Sequence, residues 1–135
     1  MRTYLKRQGT SETAIIKREI QRVIREIVIK RDGGCILRNL RHCSPDNILQ
    51  ADHLITRSNS ATYADSRLVV CLCKNCHGGW KQWHKEDYDG LVKTILKKEI
   101  VELWDKCQAE SWKPRKMDWK MELIVLEKEL KEYVI

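Results

Sequence analysis

The chain has 135 residues, a hydrophobic fraction of 42%, no Phe, and a formal net charge of +7. That is enough for one domain with a modest core and helical extensions. No apolar run is long enough to span a bilayer, so no membrane-spanning helix is expected, and the opening MRTYLKRQGTSET lacks the apolar core of a secretory signal. A cytoplasmic setting is therefore expected, where six cysteines favour metal binding over disulfides. The charge is placed unevenly. Residues 1–31 carry nine Lys/Arg against three acids, residues 32–109 eleven against ten, and residues 110–135 six of each. A basic segment ahead of the rest suits a polyanionic partner.

In chain order, residues 1–10 read as a basic lead, and Ser11 as the N-cap of a first helix. Ile16, Ile20, Val23, Ile24, Ile27 and Val28 fall at helical spacing, with Lys17, Arg18, Arg22 and Arg25 on other faces. Asp32-Gly33-Gly34 ends that helix, because glycine accepts the left-handed conformation of a C-terminal stop. Cys35 to Asn47 reads as a loop closing on the turn Ser44-Pro45-Asp46-Asn47. Ile48 to Ile55 and Arg67 to Leu72 are expected strands, joined by a polar surface loop. A helix is expected to start near Cys73 and run through Trp80 and Trp83. Asp89 is a candidate cap for a further helix carrying Val92, Ile95, Leu96, Ile100, Leu103, Trp104 and Cys107 on one face. Lys113-Pro114-Arg115-Lys116 breaks the pattern. The last helix spaces Trp119, Leu123, Leu126, Leu130 and Tyr133 as a short heptad-like row, which packs on the chain's own helices or forms a homodimer face.

The chemistry concentrates in residues 51–77, ADHLITRSNSATYADSRLVVCLCKNCH. Cys73 and Cys76 present two thiolates on one tight turn, and tetrahedral zinc requires four ligands. Cys35 and Cys43 are the natural second pair. His42 is an alternative to Cys43, and Cys71 a competitor to Cys73 that a strand would aim elsewhere; Cys107 reads as core. Asp52 is anionic at neutral pH and suits a divalent cation, while His53 beside it can accept a proton from water. Neighbours on a strand point to opposite faces, so one site needs the strand to end or bend at this pair. His77 directly follows the knuckle and can point to the hairpin or join the zinc. Arg57, Arg67, Lys74, Lys81 and Lys85 are candidate phosphate contacts, with Arg57 and Lys81 nearest the chemistry. Trp80, Trp83 and His84 divide between core packing and surface.

An Asp-His pair, a loop, a strand and then Cys-x-x-Cys-His resembles the HNH endonuclease family over roughly residues 35–84. The resemblance implies an α+β, mostly helical fold with a ββα-metal core, two strands and a helix clasping a divalent ion, braced by zinc. It implies His53 as general base, Asp52 and His77 as ligands of a catalytic Mg²⁺ or Mn²⁺, and Cys35, Cys43, Cys73 and Cys76 as a structural Zn²⁺ site. Arg57, Lys74 and Lys81 are then the expected DNA contacts. The domain plan is a basic arm and helix over residues 1–34, the nuclease core over 35–86 and a helical extension over 87–135. The family's Asn before the second strand has no counterpart in Asp65-Ser66-Arg67-Leu68, so Asp65, Ser66 or a backbone carbonyl is expected to hold His53. The wider layout also resembles phage recombination proteins of the NinG/Rap type, implying a phage or prophage origin and a DNA substrate. The rival expectation is a zinc-stabilised DNA- or junction-binding module without nuclease activity.

Overall fold

The structure is a computed structural model that describes residues 11–40, 43, 48–57, 59–110 and 116–133. The expected basic lead, His42, the turn at Ser44 to Asn47 and most of the Lys113 to Lys116 break lie outside the described residues. The fold is α+β and mostly helical, with one two-stranded antiparallel sheet. Helix α1 spans Glu12–Asp32 and strand β1 Leu49–His53; a 3-10 turn at Ser66–Leu68 leads into strand β2, Val69–Cys73. A π-helical turn, Asn75–Trp80, runs into the short α2, Lys81–Trp83. Then come α3 (Lys85–Ile95), α4 (Lys98–Ala109) and α5 (Trp119–Lys131).

Both ends of α1 follow local chemistry. Ser11 accepts a hydrogen bond from the Ala14 amide, and Gly33 closes the helix at φ 72°, its amide donating to the Ile29 carbonyl. Ile20, Val23, Ile24, Ile27 and Val28 are fully buried along one stripe. Each such side chain contributes roughly 1.5–3 kcal/mol of burial free energy. The stripe packs against Ala64, Val69, Cys71 and Leu126.

The hairpin is covered on both faces. The register pairs Asp52 with Val70 and His53 with Val69. On one face Val70 and Leu72 meet Cys35, Leu37, Tyr88, Val92 and Trp104; on the other Val69 and Cys71 meet α1 and α5. A strand buried on both faces reads as an unbroken apolar run, and β2 is Val-Val-Cys-Leu-Cys, buried throughout.

Three expectations change. Asp89 does not cap a helix: α3 begins at Lys85, and Asp89 inside it pairs with Lys85 at 2.6 Å, one helical turn apart. The single long helix expected beyond it is two, because Leu96 and Lys97 take extended backbone with ψ of 152° and 148°. The strands are also displaced, β1 ending at His53 and β2 extending to Cys73. The row on α5 packs within the chain: Leu126 is 2% exposed, and Trp119, Leu123 and Leu130 lie against the same core.

Candidate metal centre and adjoining cleft

Four sulfurs come together at one end of the hairpin. The ligand atoms of Cys35, Cys43, Cys73 and Cys76 all lie within 4.8 Å of one another. Zinc–sulfur bonds of about 2.3 Å place the sulfurs of a tetrahedron about 3.8 Å apart, so a small contraction completes the site. Local structure brings the ligands in. The Ile36 amide donates to the Cys71 carbonyl, which docks Cys35 onto the sheet, and the Cys76 amide donates to Cys73 Sγ at 3.4 Å. Burial, reinforced by contact with the Cys35 and Cys73 sulfurs, pushes the Cys43 thiol up to about 12; burial and Cys73 raise Cys76 as well. A metal taken up here must displace thiol protons. Cys71 faces the α1 side of the sheet and is absent from the cluster, as its strand position dictates. Cys107 packs against the first core, the one formed around Val70, Leu72 and Tyr88. Four cysteines in this arrangement can hold a metal such as zinc.

Beside this cluster lies a cleft of about 260 Å³ lined by Gln21, Ala51, Asp52, His53, Thr56, Arg57 and His77. It forms where β1 ends, so Asp52 and His53 reach one cavity from opposite faces of the strand.

Asp52 is 3% exposed and heavily partnered. Its Oδ1 receives Lys81 Nζ at 2.5 Å and lies 3.2 Å from His77 Nε2, and its Oδ2 accepts the Tyr88 hydroxyl proton. Burial alone would push the Asp52 carboxyl up; His77, Lys81 and Tyr88 together outweigh it and hold the group below its ordinary value. The same burial, with Asp52 adding to it, drives the Tyr88 phenol far above its usual range, so its proton stays on.

His77 is oriented by its other nitrogen, Nδ1, which contacts Gln50 Oε1 at 2.6 Å. With Nδ1 held by Gln50, Nε2 faces Asp52 Oδ1 at 3.2 Å, a pair that a shared proton or a cation satisfies. His77 is not part of the sulfur cluster.

His53 Nε2 lies 3.4 Å from the Tyr63 carbonyl. That carbonyl also accepts from Gln21 Nε2 at 3.3 Å, and the Tyr63 hydroxyl donates to the Lys17 carbonyl, which ties the loop to α1. Trp119 meets the Tyr63 ring edge-on at 5.3 Å. Two other groups expected as holders of His53 are engaged elsewhere. Asp65 caps the 3-10 turn and pairs with Arg67, and Ser66 donates to the Glu129 carboxylate. With Nε2–H directed to Tyr63, Nδ1 carries the free lone pair. Burial holds the His53 imidazolium below its ordinary value and Arg57 adds to that, against the opposing pull of the Tyr63 carbonyl and Asp52.

Of the expected phosphate contacts, Arg57 lines the cleft, Lys81 lies on Asp52, and Lys74 is exposed on the knuckle turn. Trp80 packs on the first core and stacks with His84 at 5.7 Å, whereas Trp83 is 82% exposed. On α1, Arg22 bridges Glu19 and Glu26, and Arg31 pairs with Asp32 while donating to the Ser66 and Val69 carbonyls. Part of the basic excess there is neutralised locally. Sequence reasoning missed Gln50, Tyr63, Gln21 and Tyr88, none of which carries a local motif.

Comparisons with protein-family models, with curated proteins and with solved structures find no match to this chain.

Proposed function

We propose that the chain is a metal-dependent HNH-type endonuclease that hydrolyses DNA phosphodiester bonds. The observation that carries this reading is the cleft itself, which gathers Asp52, His53 and His77 beside a four-cysteine cluster. Asp52 Oδ1 and His77 Nε2 would hold the catalytic ion, and a bound Mg²⁺ or Mn²⁺ would supply stabilisation of charge building on the phosphate and the leaving oxygen. The residues of the chain do the rest. His53, kept neutral by burial and aimed by the Tyr63 carbonyl, takes the proton of the attacking water on Nδ1. Arg57, which lines the cleft, binds the phosphate, and Lys74 contacts the flanking backbone. Gln50 fixes the His77 ring, and Tyr88 fixes the Asp52 carboxylate. The Cys35, Cys43, Cys73 and Cys76 zinc would brace the hairpin and take no part in the reaction. The same reading favours a phage or prophage DNA-processing role and cleavage that leaves 5′-phosphate and 3′-hydroxyl ends.

His53→Ala tests the reading. Loss of proton acceptance should lower cleavage by about 10²–10⁴-fold, with DNA affinity and circular dichroism unchanged. Wild-type cleavage by that variant would remove His53 from the mechanism.

A second reading, a zinc-stabilised DNA-binding module without cleavage, draws on one observation: the Asp52 carboxylate is already neutralised by Lys81. Such a module would bind DNA equally well with and without divalent ions.

A further inference from the structure

Lys81 occupies a position that a simple phosphate contact does not explain. The two oxygens of the buried Asp52 carboxylate are assigned separately. Oδ2 is held from behind by Tyr88, a side chain with no exposed surface. Oδ1 is the oxygen that faces His77, and it already carries the Lys81 ammonium at 2.5 Å. The Asp52 oxygen that faces His77 therefore already holds a cation.

An ion bound to Oδ1 would join an oxygen that already holds the Lys81 ammonium at 2.5 Å. Two cations on one oxygen repel strongly in a site sheltered from water, so an arriving ion favours release of Lys81. Lys81 is four residues beyond His77 and reaches β1 from the same side of the helical turn. Its side chain is 18% exposed, and Nζ also lies 4.9 Å from the centre of the Tyr88 ring. A four-carbon stem lets such a head group move while its root stays fixed.

Resting on the metal-nuclease reading, we propose that Lys81 is a resident counter-charge of the cleft. It neutralises Asp52 in the metal-free protein, leaves Oδ1 when a divalent ion arrives, and then becomes the cation offered to the substrate phosphate. Metal and DNA binding are thereby coupled. The cost of releasing Lys81 falls on the ion alone when DNA is absent and is offset by the phosphate when DNA is present. The ion is admitted mainly with its substrate, which restrains idle metal chemistry.

The test is a calorimetric Mn²⁺ titration of the zinc-loaded full-length chain, alone and with a phosphorothioate duplex that resists cleavage. Without DNA, Lys81→Met should bind Mn²⁺ about tenfold or more tightly than wild type, because no buried pair need be broken. Asp52→Asn should not bind it. The duplex should strengthen Mn²⁺ binding by wild type and have little effect on Lys81→Met. Lys81→Gln, which keeps a polar head without charge, provides the same comparison if the Met variant does not fold. Equal Mn²⁺ affinity in wild type and a folded Lys81 variant overturns the counter-charge role and leaves the nuclease reading standing. No Mn²⁺ binding by any of the proteins, with or without DNA, overturns both.

Discussion

At the scale of single residues, the proposed proton transfer turns on how His53 is held. Its Nε2 faces a backbone carbonyl, and Gln21 and the Tyr63 hydroxyl pin that carbonyl to α1. A carbonyl cannot ionise, so it fixes the tautomer without changing charge over the working pH range. The His53 pKa is lowered, chiefly by burial. A depressed histidine pKa means the neutral, proton-accepting form persists to lower pH. The single-turnover cleavage rate should therefore rise with pH and level off with a midpoint below 6.5, the ordinary histidine value. A midpoint above 7 would contradict the geometry assigned to His53. Asp52-His53 and Cys73-x-x-Cys76-His77 were legible as short motifs, whereas Cys35 and Cys43, eight positions apart and far upstream of the knuckle, were legible only as the pair that could complete four sulfurs. Tyr88, Gln50 and Gln21 were not. They act across 36, 27 and 42 positions, which only the fold brings together. The holder of His53 was legible only as one option among three, since a backbone carbonyl leaves no mark in the residue type.

Among the elements, the knuckle and the hairpin depend on each other. β1 and β2 have five residues apiece, and a lone two-stranded hairpin is marginal in water. Here β2 ends on the first knuckle cysteine, and the Lys74 amide donates to the Ile48 carbonyl, so the knuckle continues the pairing that aligns Asp52. The chain should therefore hold about one zinc when folded. Its removal by a strong chelator, or Cys76→Ser, should lower the melting temperature by more than about 10 °C. An unchanged melting curve with no bound zinc would show that the cysteines are simply core. The elements themselves were unevenly legible. Both ends of α1 carry their own signals in Ser11 and Gly33. The break between α3 and α4 carries none: Leu96-Lys97 contains neither Gly nor Pro, and the apolar period runs on across it. The row on α5 was legible as apolar but not as to its partner, which is the chain's own α1 and hairpin.

For the molecule as a whole, the segments flanking the hairpin are part of the site. α1 and α5 pack on one face of the sheet, and α3 and α4 on the other. α1 supplies Gln21 and the anchor for Tyr63, α5 supplies Trp119 against that ring, and α3 supplies Tyr88 to Asp52. Gln21 of α1 lines the cleft itself, whereas α3 and α5 bear on it through Tyr88 and Trp119. The net positive charge has a similar division of labour, with Arg22 and Arg31 engaged in pairs and Arg57 placed at the cleft. All of this bears on one claim, that the cleft cuts DNA when a divalent ion joins Asp52 and His77. Incubation of supercoiled plasmid with the zinc-loaded wild-type chain tests it most directly. Nicked or linear product should form with Mg²⁺ or Mn²⁺, vanish without added divalent ion, and vanish again in Asp52→Asn. Plasmid that stays supercoiled under every metal condition, while still bound by the protein, would contradict the claim and leave a DNA-binding module.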